Sequence, residues 1–258
     1  MRYVAVGDSF TEGLGDDLPD GSVRGWADLV AAGLAAAEPG QVQYANLAIR
    51  GRLLDPIVNE QLTAALALTP APTLVTLNGG GNDMMRPGGD MARLVGLLDQ
   101  AIRRCVDAGV RLVILSGADP SERLPFGGVV RKRAEVLTAA TADLVARYGV
   151  ELVDVFHDTE IRRAPYWSPD RLHLNAAGHQ RVAGLVLTAL GQTHAAHVVD
   201  PGPDESRRVL AEARYYREHV LPWLNRRVRG RSSGDDRTGK YLDWTPVDPA
   251  FSVFKEGA

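Results

Sequence analysis

The stretch VAVGDSFTEG, residues 4–13, runs apolar residues into Gly7, Asp8 and Ser9. Its first half has the unbroken hydrophobicity of a strand buried on both faces. Its second half interrupts that strand with a glycine and an acid and leaves a serine at the turn. Such a turn either closes a bland loop or presents a hydroxyl at the end of a sheet, beside the free N–H groups of a following helix. Residues elsewhere in the chain must decide between them.

Working outward, strand-like runs lie at residues 3–6, 42–46, 73–77, 111–115 and 151–155. Helix-like stretches rich in Ala and Leu occupy 25–37, 53–67, 90–108, 131–148 and 175–190, the last opening at Asn175, a good N-cap residue. Alternation of this kind predicts an α/β class protein with a parallel sheet between two helical layers, a three-layer α/β/α domain over about residues 1–199. Beyond Pro201 the character changes. Residues 206–224 place Val209, Leu210, Ala213, Tyr216, Val220, Leu221 and Leu224 at helical spacing, and Pro222 should kink or end that helix. RRVRGRSSGDDRTGKY follows, poor in apolar residues and expected to be a flexible arm. Residues 200–258 are therefore expected to be a C-terminal extension.

A chain of 258 residues can bury one full-sized core plus a short appendage. Hydrophobic and charged fractions of 45% and 24% are those of an ordinary globular protein. The net charge of −3 gives no electrostatic case for nucleic acid as a partner. Residues 201–258 hold 11 Lys+Arg against 9 Asp+Glu, hence +2, while the first 200 hold 18 against 23, hence −5. Cys105 stands alone, so no intramolecular disulfide can form, which fits a reducing compartment. The apolar run near Met1 is about four residues, shorter than a signal-peptide core. No window approaches the roughly 18 to 20 apolar residues of a membrane span. The expectation is a cytoplasmic protein.

Ser9 has the position of a nucleophile, but the elbow pattern G-x-S-x-G fails at Thr11. A base is on offer in SPDRLHLN, residues 168–175, where Asp170 and His173 stand three apart. In a turn this spacing brings carboxylate and imidazole together, although the same residues also suit a capping acid and a surface histidine. TLNGGGNDMM, residues 76–85, puts three glycines and then Asn82 and Asp83 directly after a buried strand. Glycines admit close approach of a ligand and an Asn amide can donate to a developing oxyanion; a plain glycine-rich turn reads the same way. A phosphate loop is disfavoured, since G-x-G-x-x-G and G-K-[ST] are absent and Asp8 and Asp83 would repel phosphate. Gly51, in NLAIRGRLL, follows the second strand. His157 has Asp158 beside it, but neighbours on extended chain point apart. His179 is expected on a helix face, and His194, His197 and His219 are too scattered for a metal site. Asp8 and Asp83 are expected to fix turns, and Trp26, Tyr166 and Trp167 either line a pocket or pack the core.

Four blocks thus occur in order: Gly7-Asp8-Ser9, Gly51, Gly80-Gly81-Asn82-Asp83 and Asp170-Arg171-Leu172-His173. In this the chain resembles the SGNH hydrolases, the GDSL-type esterases and lipases, with G-D-S-F in place of G-D-S-L. The resemblance covers roughly residues 1–190. It implies a flavodoxin-like sheet of order 2-1-3-4-5, in which the loops carrying Ser9, Gly51 and Asn82 are neighbours at the crevice where open α/β sheets bind ligands. It implies Ser9 as nucleophile, His173 as base and Asp170 as its orienting acid. The oxyanion would be held by the N–H groups of Ser9 and Gly51 and the side chain of Asn82. Neither a metal nor an organic cofactor is implied. The implied substrate is a small-molecule acyl ester. Transfer of the same acyl group to an alcohol is the alternative chemistry. A scaffold whose extension binds a partner or anionic surface through Arg226, Arg227, Arg229 and Arg231 is the non-enzymatic one.

Overall fold

The computed structural model describes residues 1–37, 42–124, 127–192, 201–202 and 234–247. Strand β1 (Arg2–Val6) leads through a short turn into α1 (Ser9–Glu12), then α2 (Trp26–Ala37) and β2 (Gln43–Asn46). The next helical stretch is composite: α3 (Leu54–Pro56), a π-helical turn (Ile57–Gln61) and α4 (Leu62–Ala67). β3 (Leu74–Asn78), α5 (Gly81–Met84), α6 (Met91–Asp107) and β4 (Arg111–Leu115) follow. A 3-10 turn (Ser121–Arg123) precedes α7 (Gly127–Tyr148) and β5 (Glu151–Val153), and another (Ala164–Tyr166) precedes α8 (Ala176–Ala189). The last described element is β6 (Tyr241–Pro246).

The sheet order is β5-β4-β3-β1-β2-β6. Its five parallel strands have the expected 2-1-3-4-5 arrangement, with β1 between β2 and β3. The expected count of five is corrected to six, because β6 adds antiparallel to the outer edge of β2, pairing Tyr44 with Thr245 and Asn46 with Tyr241. The segment YLDWTP has the aromatic and β-branched content of a strand, and it closes an edge that would otherwise expose unpaired backbone groups. The expected helix at 206–224 and residues 226–233 of the expected arm, with Arg226, Arg227, Arg229 and Arg231, lie outside the described residues. The remainder of the arm, expected to be flexible, is instead seated on the domain, with Lys240 bonded to the Arg24 carbonyl and Tyr241 opening β6.

Alternation along each strand sorts the core into two layers. Tyr3, Ala5, Tyr44, Val113 and Val153 face α2 and α8, while Val4, Val6, Ala45, Val75 and Ile114 face the composite helix, α6 and α7. This is the two-sided burial that produces nearly continuous apolar strands. Among the described residues no helix is long and apolar enough to cross a membrane.

Candidate active site

The loops after β1, β2 and β3 meet at the C-terminal ends of the parallel strands. At the first, Gly7 is required by close approach: a Cβ there would lie 2.3 Å from Thr11 Oγ1 and 2.9 Å from the Asn78 carbonyl. Thr11, where an elbow glycine would stand, is buried against the space that Gly7 leaves open. Gln61, turned inward by the π-helical turn, accepts from the Gly7 N–H at 2.8 Å and donates to its carbonyl at 3.0 Å. Asp8 caps α1, its Oδ1 accepting from the Phe10 N–H at 3.1 Å. Ser9 is thereby the first residue of a helix, with its N–H donating to no acceptor among the described residues.

The imidazole arrives from the loop before α8. Trp167 bridges Leu174 in antiparallel fashion, and Ser168 N–H donates to the His173 carbonyl at 2.9 Å. Between them Arg171 adopts a left-handed φ of 59° that tightens the turn. Asp170 Oδ1 accepts from the Ser168 hydroxyl at 2.6 Å and from the N–H groups of Leu172 and His173 at 3.0 and 2.9 Å. Its Oδ2 lies 2.6 Å from His173 Nδ1, and His173 Nε2 lies 2.9 Å from Ser9 Oγ. Burial opposes ionisation of Asp170, but the hydrogen bond and charge of His173 and the donors around it prevail and hold its carboxyl below the usual range. An ionised Asp170 can only accept, which puts the ring proton on Nδ1 and leaves the Nε2 lone pair directed at the Ser9 hydroxyl. This line of groups can take a proton from Ser9.

Gly51 follows β2 with a left-handed φ of 75°, and its N–H has no acceptor among the described residues. Its loop is held by Arg50, whose backbone N–H and guanidinium donate to the buried Glu12 at 2.7 and 2.5 Å. After β3, Asn82 Nδ2 donates to Asp8 Oδ2 at 3.0 Å and to the Arg52 carbonyl at 3.1 Å. Burial pushes the Asp8 carboxyl up to about 6 against the pull of the Phe10 N–H. Asp83 accepts from the Leu54 N–H at 2.9 Å, so both acids brace turns.

A cavity of about 580 Å³ opens over Ser9. Trp167 lines it, whereas Trp26 and Tyr166 are core residues. From residues 120–130, Pro120 and Val130 reach it; loop 15–24 contributes no lining residue. His179 lies on a face of α8, as expected; that face is the buried one, and there the ring accepts from the Trp26 N–H through Nδ1 and meets the Leu14 carbonyl through Nε2, both at 3.1 Å. A buried histidine with both nitrogens satisfied carries no local pattern that sequence reading could detect. His157 pairs at 2.6 Å with Asp154 rather than Asp158, which holds Arg181. Asp154-x-x-His157 therefore duplicates the Asp170-x-x-His173 spacing, but its nearby Ser116 hydroxyl donates to Asp154 and not to the imidazole. Gln61 escaped the sequence reading; a polar residue on the apolar face of a helical stretch was its only signal. Among the described residues no three His, Cys, Asp or Glu side chains gather as a metal site, and His194, His197 and His219 lie outside them.

Residues 5–181 match the GDSL-like lipase/acylhydrolase family. The chain belongs to that family. Its members are serine hydrolases acting on ester bonds, and so is this chain. Among solved structures, an α/β hydrolase from the metagenome of Lake Arreo, Spain, is 23% identical, with a TM-score of 0.60, over 74% of this chain and 95% of that one. The psychrotrophic esterase EstA of Pseudoalteromonas sp. is 18% identical, with a TM-score of 0.58, over 74% and 97%. The acetylxylan esterase Axe2 of Geobacillus stearothermophilus is 17% identical, with a TM-score of 0.58, over 74% and 94%. Identities this low show a shared fold. No curated protein sequence matches the chain.

Proposed function

We propose that the chain is an esterase cleaving small or medium acyl esters through an acyl-enzyme on Ser9. The observation that carries this reading is the 2.9 Å and 2.6 Å line from Ser9 Oγ through His173 to Asp170. Ser9 Oγ attacks the ester carbonyl carbon as His173 Nε2 takes its proton. Asp170 holds the ring and balances the imidazolium. The carbonyl oxygen becomes an oxyanion, met by the N–H groups of Ser9 and Gly51, which engage no acceptor among the described residues, with Asn82 releasing one amide hydrogen from the Arg52 carbonyl to complete the set. Collapse breaks the bond to the alcohol oxygen, which receives the proton from His173. A water then repeats the sequence on the acyl-serine, its proton passing to His173 and on to Ser9 Oγ as the acid leaves. The apolar walls around Leu137 and Ala134 favour an aliphatic acyl group.

Hydrolysis of a short-chain aryl ester by wild type and by Ser9→Ala, purified side by side, tests the reading. A fall on the order of 10³-fold or more supports it, and equal rates refute it.

A further inference from the structure

The described C-terminal segment, residues 234–247, lies beyond the family match and yet reaches the cavity. β6 fixes one end of it on β2. Gly234 and Gly239 fix the other, because a Cβ at either would lie 2.0 Å from the Arg50 carbonyl or 2.6 Å from the Asn46 carbonyl. Lys240 Nζ adds hydrogen bonds to the Val23 and Arg24 carbonyls and to Asp28. Such tight seating leaves the intervening turn little freedom, and from that turn Arg237 lines the cavity.

The charges around the cavity single this residue out. Asp170 is committed to His173, Asp119 faces Arg131 and Arg162, and Asp8 accepts from Phe10 and Asn82. Arg50 is paired with Glu12. The Arg237 guanidinium has no acceptor among the described residues and is exposed at the rim. Sheet order sorts the cavity's lining into two sides. On the β3 and β4 side of Ser9 stand Met84, Ile114, Ala134 and Leu137, which are apolar; on the β2 and β6 side stand Arg50, Gly51 and Arg237.

We propose that Arg237 is a specificity-determining residue. It selects esters whose acyl chain is aliphatic and whose alcohol carries an oxyanion, a carboxylate or a phosphate. A planar guanidinium matches either group with two parallel N–H donors. This inference rests on the esterase reading, since it places the acyl chain against the apolar β3 and β4 side and the departing alcohol at the Arg237 rim.

The test compares para-nitrophenyl hexanoate with hexanoyl esters of a carboxylated and of a phosphorylated nitrophenol, in wild type, Arg237→Gln, Arg237→Lys and Arg237→Glu. For each protein the ratio of kcat/KM, anionic over neutral, is read, so differences in intrinsic reactivity cancel between proteins. The ratio should fall about fivefold in Arg237→Gln, further in Arg237→Glu, and least in Arg237→Lys. Whichever anionic ester shows the larger fall identifies the group. Ratios unchanged across the variants overturn the proposal, as does a matching fall for an ester whose charge sits on the acyl side, para-nitrophenyl hemiglutarate. Calorimetric binding of hexyl phosphate, or of heptanoate where the carboxylated ester shows the larger fall, to wild type and Arg237→Gln reads the same contact without turnover. Weakening of about fivefold supports the contact; equal affinity, or no binding to wild type, rejects it. Absence of ester hydrolysis with an intact difference in binding would count against the esterase reading alone.

Discussion

Asp8 and Asn82 show how much rests on single side chains. Asp8 is buried because it must do two things: cap the helix that carries Ser9 and hold the Asn82 amide. Asp8→Ala should therefore lower kcat for ester hydrolysis by about 10- to 100-fold with a smaller change in KM, as expected when a donor to the transition state loses its orientation. A KM effect alone would contradict that role. His179 makes a pH prediction. Burial holds its imidazole down to about 4 from an ordinary 6.5, with the Leu14 carbonyl pulling the other way. Because the unfolded chain takes up the proton first, the native state loses stability as pH falls from about 6.5 toward about 4, by on the order of 2–3 kcal/mol. Denaturant titrations of wild type and His179→Gln across that window should converge at low pH; parallel curves would contradict the assignment. At this scale the sequence was partly legible. Asp170 and His173 could be picked out, but Asp154 and His157 have the same spacing, and only the three-dimensional fold brings one of the two imidazoles to Ser9.

Among the elements, the π-helical turn has the most specific consequence. It rotates Gln61 onto the Gly7 backbone at the strand end preceding Ser9. Gln61→Leu leaves the Gly7 N–H buried without a partner and should cost about 1–3 kcal/mol, with a larger loss of activity than the stability change explains. Thermal denaturation and esterase assays of the same variant check both halves. The strands themselves were readable because parallel strands buried on both faces are nearly continuous runs of β-branched and aliphatic residues. The interruption of the helix at 53–67 was not, since an extra residue in a helical turn leaves the composition unchanged.

For the whole molecule, the difference between expectation and structure lies at β6. An edge strand of six residues next to an Arg- and Gly-rich run has too little periodicity to stand out, and its partner, β2, is some 200 residues away in sequence. Its presence makes the C-terminal segment part of the sheet, which leads us to propose that residues 234–247 fold together with the first 192. Lys240 then neutralises Asp28, a carboxyl that burial pushes up and the ammonium pulls down. Lys240→Met should cost about 2–4 kcal/mol near neutral pH and less in acid, where Asp28 is relieved by protonation. Chemical denaturation at two pH values checks it; an unchanged midpoint at both would detach the segment from the fold.

The central claim is that Ser9 forms the covalent bond. An activated alkyl phosphonate, which a serine nucleophile attacks at phosphorus with loss of the leaving group to give a stable phosphonyl ester, is the matching probe. The decisive measurement is intact-mass and peptide mass spectrometry after incubating the protein with such a probe. The account predicts a single adduct on the peptide containing Ser9, lost in Ser9→Ala and strongly slowed in His173→Ala. An adduct on another residue, or full esterase activity with Ser9 unlabelled, would contradict it.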